Sequence, residues 1–265
     1  LYEAFGWEPP VYCHLPMVMG KDGQKLSKRH GATAVKEFRR QGYLPEAVIN
    51  YISLLGWSYD DKREFFSREE LEELFSLEKL NKAPAVFDYK KLEWFNGQYI
   101  RAKSDGELKM LLLPYLTEAE LIDRPPTKEQ AQIIDAMIPL MKERLHFLGD
   151  IVELSRFLFQ EIDSYDVAEV IPKKLDAPKT LEVLRAGRDL IAGLPEAGDE
   201  ATEENLREKA GELEVKLGAM LMPIRVAVTG SKVSPPLFGS IRLLGVEKAL
   251  ERIDHVIELL QREVE

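Results

Sequence analysis

Residues 127–148, TKEQAQIIDAMIPLMKERLHFL, decide the fold class. Ile133, Ile134, Met137, Leu140, Met141, Leu145 and Leu148 recur at threes and fours, the spacing that lines one face of an α-helix. Thr127 followed by Gln130 is a capping pair that opens such a helix. Pro139 lies inside the pattern. Its ring removes a donor and crowds the preceding turn, so a kink or a split is expected there.

The same period spreads outward in both directions. Downstream, Asp150–Phe159, Thr180–Gly193 and Thr202–Leu217 read as amphipathic helices, the last two separated by the polar stretch LPEAGDEA (194–201). Leu221–Val228 is apolar and stops at Gly230. The loop SKVSPP (231–236) precedes a short helix, LFGSIRLL (237–244), and the last helix stripes Val246, Leu250, Ile253, Val256, Ile257 and Leu260 along one face. Upstream, residues 104–116 form a short helix, and Asp88 can cap DYKKLEWFN before a turn at Asn96-Gly97. Ser67 with Glu70 opens REELEELF. Pro45 suits the first turn of PEAVINYISLLG, whose apolar face is Val48, Tyr51, Ile52 and Leu55 and whose stop is Gly56. Thr33 can cap a helix running to Gln41. Only VYCHLPMVM (11–19), interrupted by Pro16, reads as an edge or terminal strand. A mainly α chain is expected. The proline-bearing stretch DSYDVAEVIPKKLDAPK (163–179) is the clearest linker, which gives regions 1–103, 104–165 and 166–265.

A length of 265 residues, 45% of them apolar, suits about two domains with proper cores. No apolar run reaches the roughly 20 residues that span a bilayer, and LYEAFGWEPP lacks the basic flank and apolar core of a secretion signal. A cytoplasmic protein with no membrane partner is expected. One cysteine, Cys13, excludes an internal disulfide, and with only four histidines a metal site is not expected. The formal net charge of −10 argues against a polyanionic partner until it is divided. Residues 1–103 carry 16 basic and 15 acidic side chains, residues 104–265 carry 20 and 31, and residues 21–40 hold seven basic against two acidic. Positive charge is concentrated near the N-terminus.

Standard nucleotide, zinc, redox and hydrolase motifs are absent from the sequence. Cys13 and His14 are adjacent on the expected strand and so point to opposite faces, which reads as a packed Cys and a surface His. Glu69, Glu70, Glu72 and Glu73 read as solvated helix surface. The segment Lys25-Leu26-Ser27-Lys28-Arg29-His30-Gly31 differs in kind: three cations within five residues, between a GKDG turn and a glycine, make an arm able to fold over a polyphosphate. Nucleotidyl transfer is catalysed largely by electrostatics, and compact lysine ammonium groups suit charge building on a leaving pyrophosphate.

DGQKLSKRHGATAV (22–35) followed by YLPEAVINYISLLGWS (43–58) resembles bacterial glutamyl-tRNA synthetase, a class I aminoacyl-tRNA synthetase, in which this loop is the family's form of the KMSKS signature. HLPMV (14–18), FDYKKLEWFNGQYI (87–100), MPIRVAVTG (222–230), PPLF (235–238) and LLGVEKALERI (243–253) extend the resemblance over nearly the whole chain. The His-x-Gly-His motif of the nucleotide-binding domain is not in the sequence. A C-terminal portion lacking the catalytic dinucleotide fold is therefore expected, one that binds tRNA and does not itself activate glutamate.

The resemblance implies that Lys28 contacts ATP phosphates with Lys25 assisting, that Ser27 and Arg29 belong to the same phosphate-binding loop, and that Arg29 and His30 shape it. It implies that Arg144, in MKERLHFL (141–148), reads the first anticodon base. Arg225, Ser234, Pro235 and Leu237 resemble the second part of the anticodon surface. Lys36, Arg39 and Arg40 are candidates for the inner side of the tRNA L, on charge alone. For the whole enzyme it implies ATP and magnesium as cofactors, with the adenine and magnesium sites largely outside this chain, and glutamate and tRNA(Glu) as substrates of a monomer. Two other readings compete. One is a stand-alone helical RNA-binding or protein-interaction module. The other, glutaminyl-tRNA synthetase, carries β-barrel anticodon domains, which the helical periodicity of residues 180–262 opposes.

Overall fold

In the computed structural model, which describes residues 1–31, 34–60 and 62–264, the periodic segments are helices. In chain order they are α1 (Tyr2–Phe5), β1 (Val18–Met19), α2 (Val35–Gln41), α3 (Pro45–Ser53), α4 (Arg68–Leu74), β2 (Ala85–Val86), α5 (Tyr89–Ala102), α6 (Asp105–Glu118), α7 (Lys128–Met141), α8 (Asp150–Phe159), α9 (Val167–Val170), α10 (Ala177–Ala192), α11 (Leu194–Glu212), α12 (Leu217–Thr229), α13 (Leu237–Leu244) and α14 (Val246–Val264). Three short 3-10 turns, Lys28–His30, Leu77–Lys79 and Lys142–Arg144, complete the set among the described residues. The chain divides into two compact units: residues 1–102 with 146–148, and residues 103–145 with 149–265.

Capping chemistry sets several helix starts. Ser67, Ser104 and Thr127 each accept from the backbone N–H three residues on, and Glu70, Glu107 and Gln130 return the bond to the cap residue's own N–H. Asp88 accepts from the N–H groups of Lys90 and Lys91 at 2.9 and 3.4 Å, so it caps α5. Asp176 accepts from Lys179 N–H at 2.9 Å and starts α10 three residues ahead of the expected Thr180. The expected cap Thr33 lies outside the described residues.

Several expectations are corrected. Pro139 does not split α7, which runs on to Met141 and passes into the Lys142–Arg144 turn. The proline sits exposed in the last turn, so it forfeits little, while Ile134, Met137, Ile138 and Met141 bury beneath it. Asn96-Gly97 is not a turn: α5 continues to Ala102, and Asn96 is fully buried. Its Oδ1 accepts from Leu44 N–H at 2.7 Å, and its Nδ2 donates to the carbonyls of Gly42 (3.3 Å) and His146 (2.6 Å), so one side chain ties α5 to the backbone at three points. LPEAGDEA is helical, with Pro195 in the first turn of α11. The break is confined to Gly198, whose φ of 78° leaves the helical region. The strand shrinks to Val18–Met19, and Cys13 is exposed with His14, not packed. In α3, Ile52 is 45% exposed and Asn50 is buried, because Asn50 serves Phe66 N–H, Glu64 O and the Tyr99 hydroxyl.

In the first unit, Phe38, Tyr43, Val48, Tyr51, Phe87, Leu92 and Phe95 form an aromatic core, and Trp57, Phe66 and Leu71 a smaller one. In the second, α10, α12 and α14 pack around Leu184, Ile224, Ile253 and Val256. Arg188 binds Asp254 with two bonds of 2.9 and 3.0 Å, tying α10 to α14. A Cβ placed on Gly187 would lie 2.5 Å from Ile224 Cδ1, so a larger residue at this contact between α10 and α12 would force Ile224 to shift.

Candidate functional site

Two sets of cations stand out, one in each unit. The first is carried by a hairpin. Leu26 N–H donates to Val18 O (3.0 Å), Gly20 N–H to Gln24 O (2.8 Å) and Gly23 N–H to Gly20 O (3.0 Å), while β1 lies parallel to β2 and Phe87 N–H donates to Met19 O (2.8 Å). Lys21 reaches Asp88 at 2.9 Å, fastening the GKDG turn to the cap of α5, and its ammonium holds the Asp88 carboxyl below the usual carboxylate value.

The stretch expected to be an irregular loop is in part a 3-10 turn, Lys28–His30, in which His30 N–H donates to Ser27 O at 2.9 Å and Ser27 N–H donates to His30 Nδ1 at 3.0 Å. The other ring nitrogen of His30 lies 3.1 and 3.0 Å from the two Asp22 carboxylate oxygens. Gln24 N–H, and after it the His30 ring, hold the Asp22 carboxyl below its ordinary value. Gly31 closes the turn at φ 122°, and a Cβ there would meet the Tyr89 ring at 3.2 Å.

This framework leaves Lys25, Lys28 and Arg29 exposed, and among the described residues none of the three has a carboxylate partner. Lys25, Ser27 and Lys28 line one open groove of about 770 Å³, with Leu15, Met17, Val18 and Leu26 as its apolar wall. The contrast with neighbouring cations is direct: Arg63 pairs with Glu70 and Lys91 with Glu64. Lys36, Arg39 and Arg40 are exposed on α2, whose other face buries Phe38.

The second set lies on α12 and the Lys142–Arg144 turn. Arg225 Nη1 donates to Ser234 Oγ at 2.5 Å and to Pro235 O at 2.9 Å. Ser234 and Leu237 are only 2% and 4% exposed, so their side chains support the arginine and the core. Pro223, Ile224, Val226 and Ala227, on either side of Arg225 in α12, are buried. Half-burial pushes the Arg225 guanidinium below its ordinary pKa, and repulsion from Arg144 adds to this. Two residues 81 positions apart in sequence thus share one field. Arg144 itself is exposed, and among the described residues neither guanidinium has a carboxylate partner. A guanidinium that is partly desolvated and charge-uncompensated is suited to phosphate oxygens and to the edges and faces of unpaired bases.

Sequence reasoning missed Asp22 and Gly20 beside the loop. The GKDG turn was visible, but a carboxylate eight residues from a histidine carries no periodic signal. Among the described residues no group of three or more His, Cys, Asp or Glu side chains could hold a metal ion, and no helix is long and apolar enough to cross a membrane.

Comparison with known proteins bears on both sets. Residues 1–94 match the family model for the catalytic domain of class I tRNA synthetases (E and Q), and residues 107–257 match the anticodon binding domain model. The glutamate–tRNA ligase of Treponema denticola is 50% identical over 97% of this chain and 54% of its own length, and that of Borreliella burgdorferi is 48% identical over 98% and 53%. The crystal structure of a glutamate tRNA ligase from Elizabethkingia meningosepticum in complex with its amino acid superposes with a TM-score of 0.74 at 30% identity, covering 98% of this chain and 53% of that one. The chain spans about half the length of the curated relatives it matches.

Proposed function

Because the chain belongs to the glutamyl-tRNA synthetase family of class I aminoacyl-tRNA synthetases, we propose that it grips tRNA(Glu) and contributes the Lys25–Arg29 loop to ATP-dependent attachment of glutamate. The observation that carries this reading is that Lys25, Lys28 and Arg29 in one matched family region, and Arg144 and Arg225 in the other, have no carboxylate partner among the described residues.

Lys28, assisted by Lys25, faces the ATP phosphates from the groove, with Ser27 and Arg29 in the same loop. As glutamate displaces pyrophosphate, negative charge grows on the departing oxygens, and two ammonium groups already oriented toward them lower the barrier without reorganising. Bound magnesium would neutralise phosphate charge in the whole enzyme. The adenine and glutamate pockets are assigned to the remainder of the enzyme. Lys36, Arg39 and Arg40 meet backbone phosphates on the inner side of the L. Arg144 reads the first anticodon base, and Arg225 meets the anticodon loop from its seat on Ser234 and Pro235, with Leu237 beneath. Residues 104–165 and 166–265 act as two anticodon-binding subdomains. The protein works as a monomer in the cytoplasm.

The test is tRNA binding and ATP–pyrophosphate exchange by the 265-residue chain. Binding should weaken linearly with the logarithm of salt, with a slope of roughly −0.7 to −0.9 for each phosphate neutralised. Exchange should be absent. A flat salt response overturns the cationic contacts, and exchange by this chain overturns the assignment of the adenylating site elsewhere.

A further inference from the structure

We propose that Asp22, His30 and Gly20 form a positioning device that sets the Lys25–Lys28 face of the loop for polyphosphate. It rests on the reading of that loop as a phosphate site. His30 Nδ1 lies 3.0 Å from Ser27 N, whose hydrogen points at it, and 3.2 Å from Ser27 O, while the Asp22 carboxylate facing Nε2 can only accept. The proton is therefore on Nε2, which donates to the Asp22 carboxylate at 3.0 to 3.1 Å. One imidazole thus joins the turn of the hairpin to the first residue of the cationic 3-10 turn. Its side chain is only 16% exposed, whereas the three cations around it are solvated.

Gly20 makes room for the ring. A Cβ at that position would lie 2.6 Å from His30 Cδ2, 2.8 Å from Nε2 and 2.9 Å from Asp22 Oδ1, distances at which the ring must leave. Gly20 does not have the positive φ that would itself forbid alanine, so its smallness is used for space. A turn held at both ends presents Lys25 and Lys28 to one groove, while a released turn lets the two ammonium groups diverge. None of the three residues touches the phosphate; each acts through the backbone of Ser27 and Lys28.

The test uses the 265-residue chain, inorganic tripolyphosphate as probe, and calorimetric titration of wild type, Asp22→Ala, His30→Ala, Gly20→Ala and Lys28→Ala. Asp22→Ala, His30→Ala and Gly20→Ala should each weaken binding by about fivefold, and the Asp22→Ala/His30→Ala double variant should lose no more than either single variant, as residues in one network do. His30→Asn, which keeps an acceptor for Ser27 N–H, should recover part of the loss. Nitrogen-15 imidazole spectra of the wild-type chain should show the Nε2–H form of neutral His30, and Gly20→Ala should abolish that signature while the aromatic-core resonances stay in place. Independent, additive losses overturn the device, as does the Nδ1–H tautomer. If Lys28→Ala weakens binding and the other variants do not, positioning fails while the phosphate reading stands. If wild type does not bind tripolyphosphate, the phosphate reading fails and takes the device with it.

Discussion

The hairpin cations and the arginine pair solve the same electrostatic problem in opposite ways. Lys25, Lys28 and Arg29 stand in water on a turn whose framework is local and polar, stitched by backbone bonds, His30 and the Lys21–Asp88 pair. Arg225 leaves a helix whose other face is core, is half-buried, and spends Nη1 on Ser234 and Pro235 before any ligand arrives. Solvated ammonium groups suit a charge that is diffuse and changes during reaction. A partly desolvated, oriented guanidinium suits discrimination, because every unmatched contact costs more where water is scarce. Unpaired cations of equal formal charge are thus sorted by what holds them.

Four substitutions bear on that contrast. The largest effect is expected at Gly187→Val, which forces atoms into Ile224, the residue before Arg225 on α12, and should cost the second unit about 3 kcal/mol by overpacking, read by chemical denaturation. A stability near wild type would mean that the arginine site does not depend on the core. Next, Arg225→Lys should weaken tRNA binding by about 2 kcal/mol, because an ammonium cannot replace a fork already committed to Ser234 and Pro235. Full retention by lysine would reduce the site to a point charge. Ser234→Ala should cost roughly 1 kcal/mol of that affinity by freeing the guanidinium, seen in the same titration.

The smallest effect belongs to Lys21→Ala, since an exposed pair contributes about 0–1 kcal/mol. The pH dependence of that corner has a fixed sign. The carboxyls of Asp22 and Asp88 are lowered in the folded state, so their contribution is fully present above the ordinary value of 3.8 and is lost as pH falls through the lower folded values. Amide signals of Lys90 and Lys91, which donate to Asp88, should therefore hold steady through mildly acid pH and shift only below about pH 4. A shift of those amides already at neutral pH would contradict this sign.

Much of the helical framework was legible in sequence because caps and 3.6-residue stripes are local signals: Asp150–Phe159 and Leu237–Leu244 appear at the expected boundaries, and Ser67, Thr127 and Asp88 cap as their chemistry demands. What escaped was long-range. Asn96 reads locally as a turn residue but is recruited into α5 by backbone groups about 50 residues away. Pro139 reads as a breaker, yet its exposed position near the helix end makes the lost bond inexpensive. At the candidate sites the residue types were visible, but the repulsion between Arg144 and Arg225 and the closeness of Gly20 to His30 depend on three-dimensional placement.

The most direct measurement is a titration of the chain with tRNA(Glu) transcripts differing at the first anticodon base, using wild type and Arg144→Ala. Wild type should prefer the cognate base by about 1–3 kcal/mol, the scale of one good bidentate base contact, and Arg144→Ala should bind all transcripts alike. A uniform loss across transcripts, with the preference intact, would contradict base reading by Arg144 and leave it a general phosphate contact.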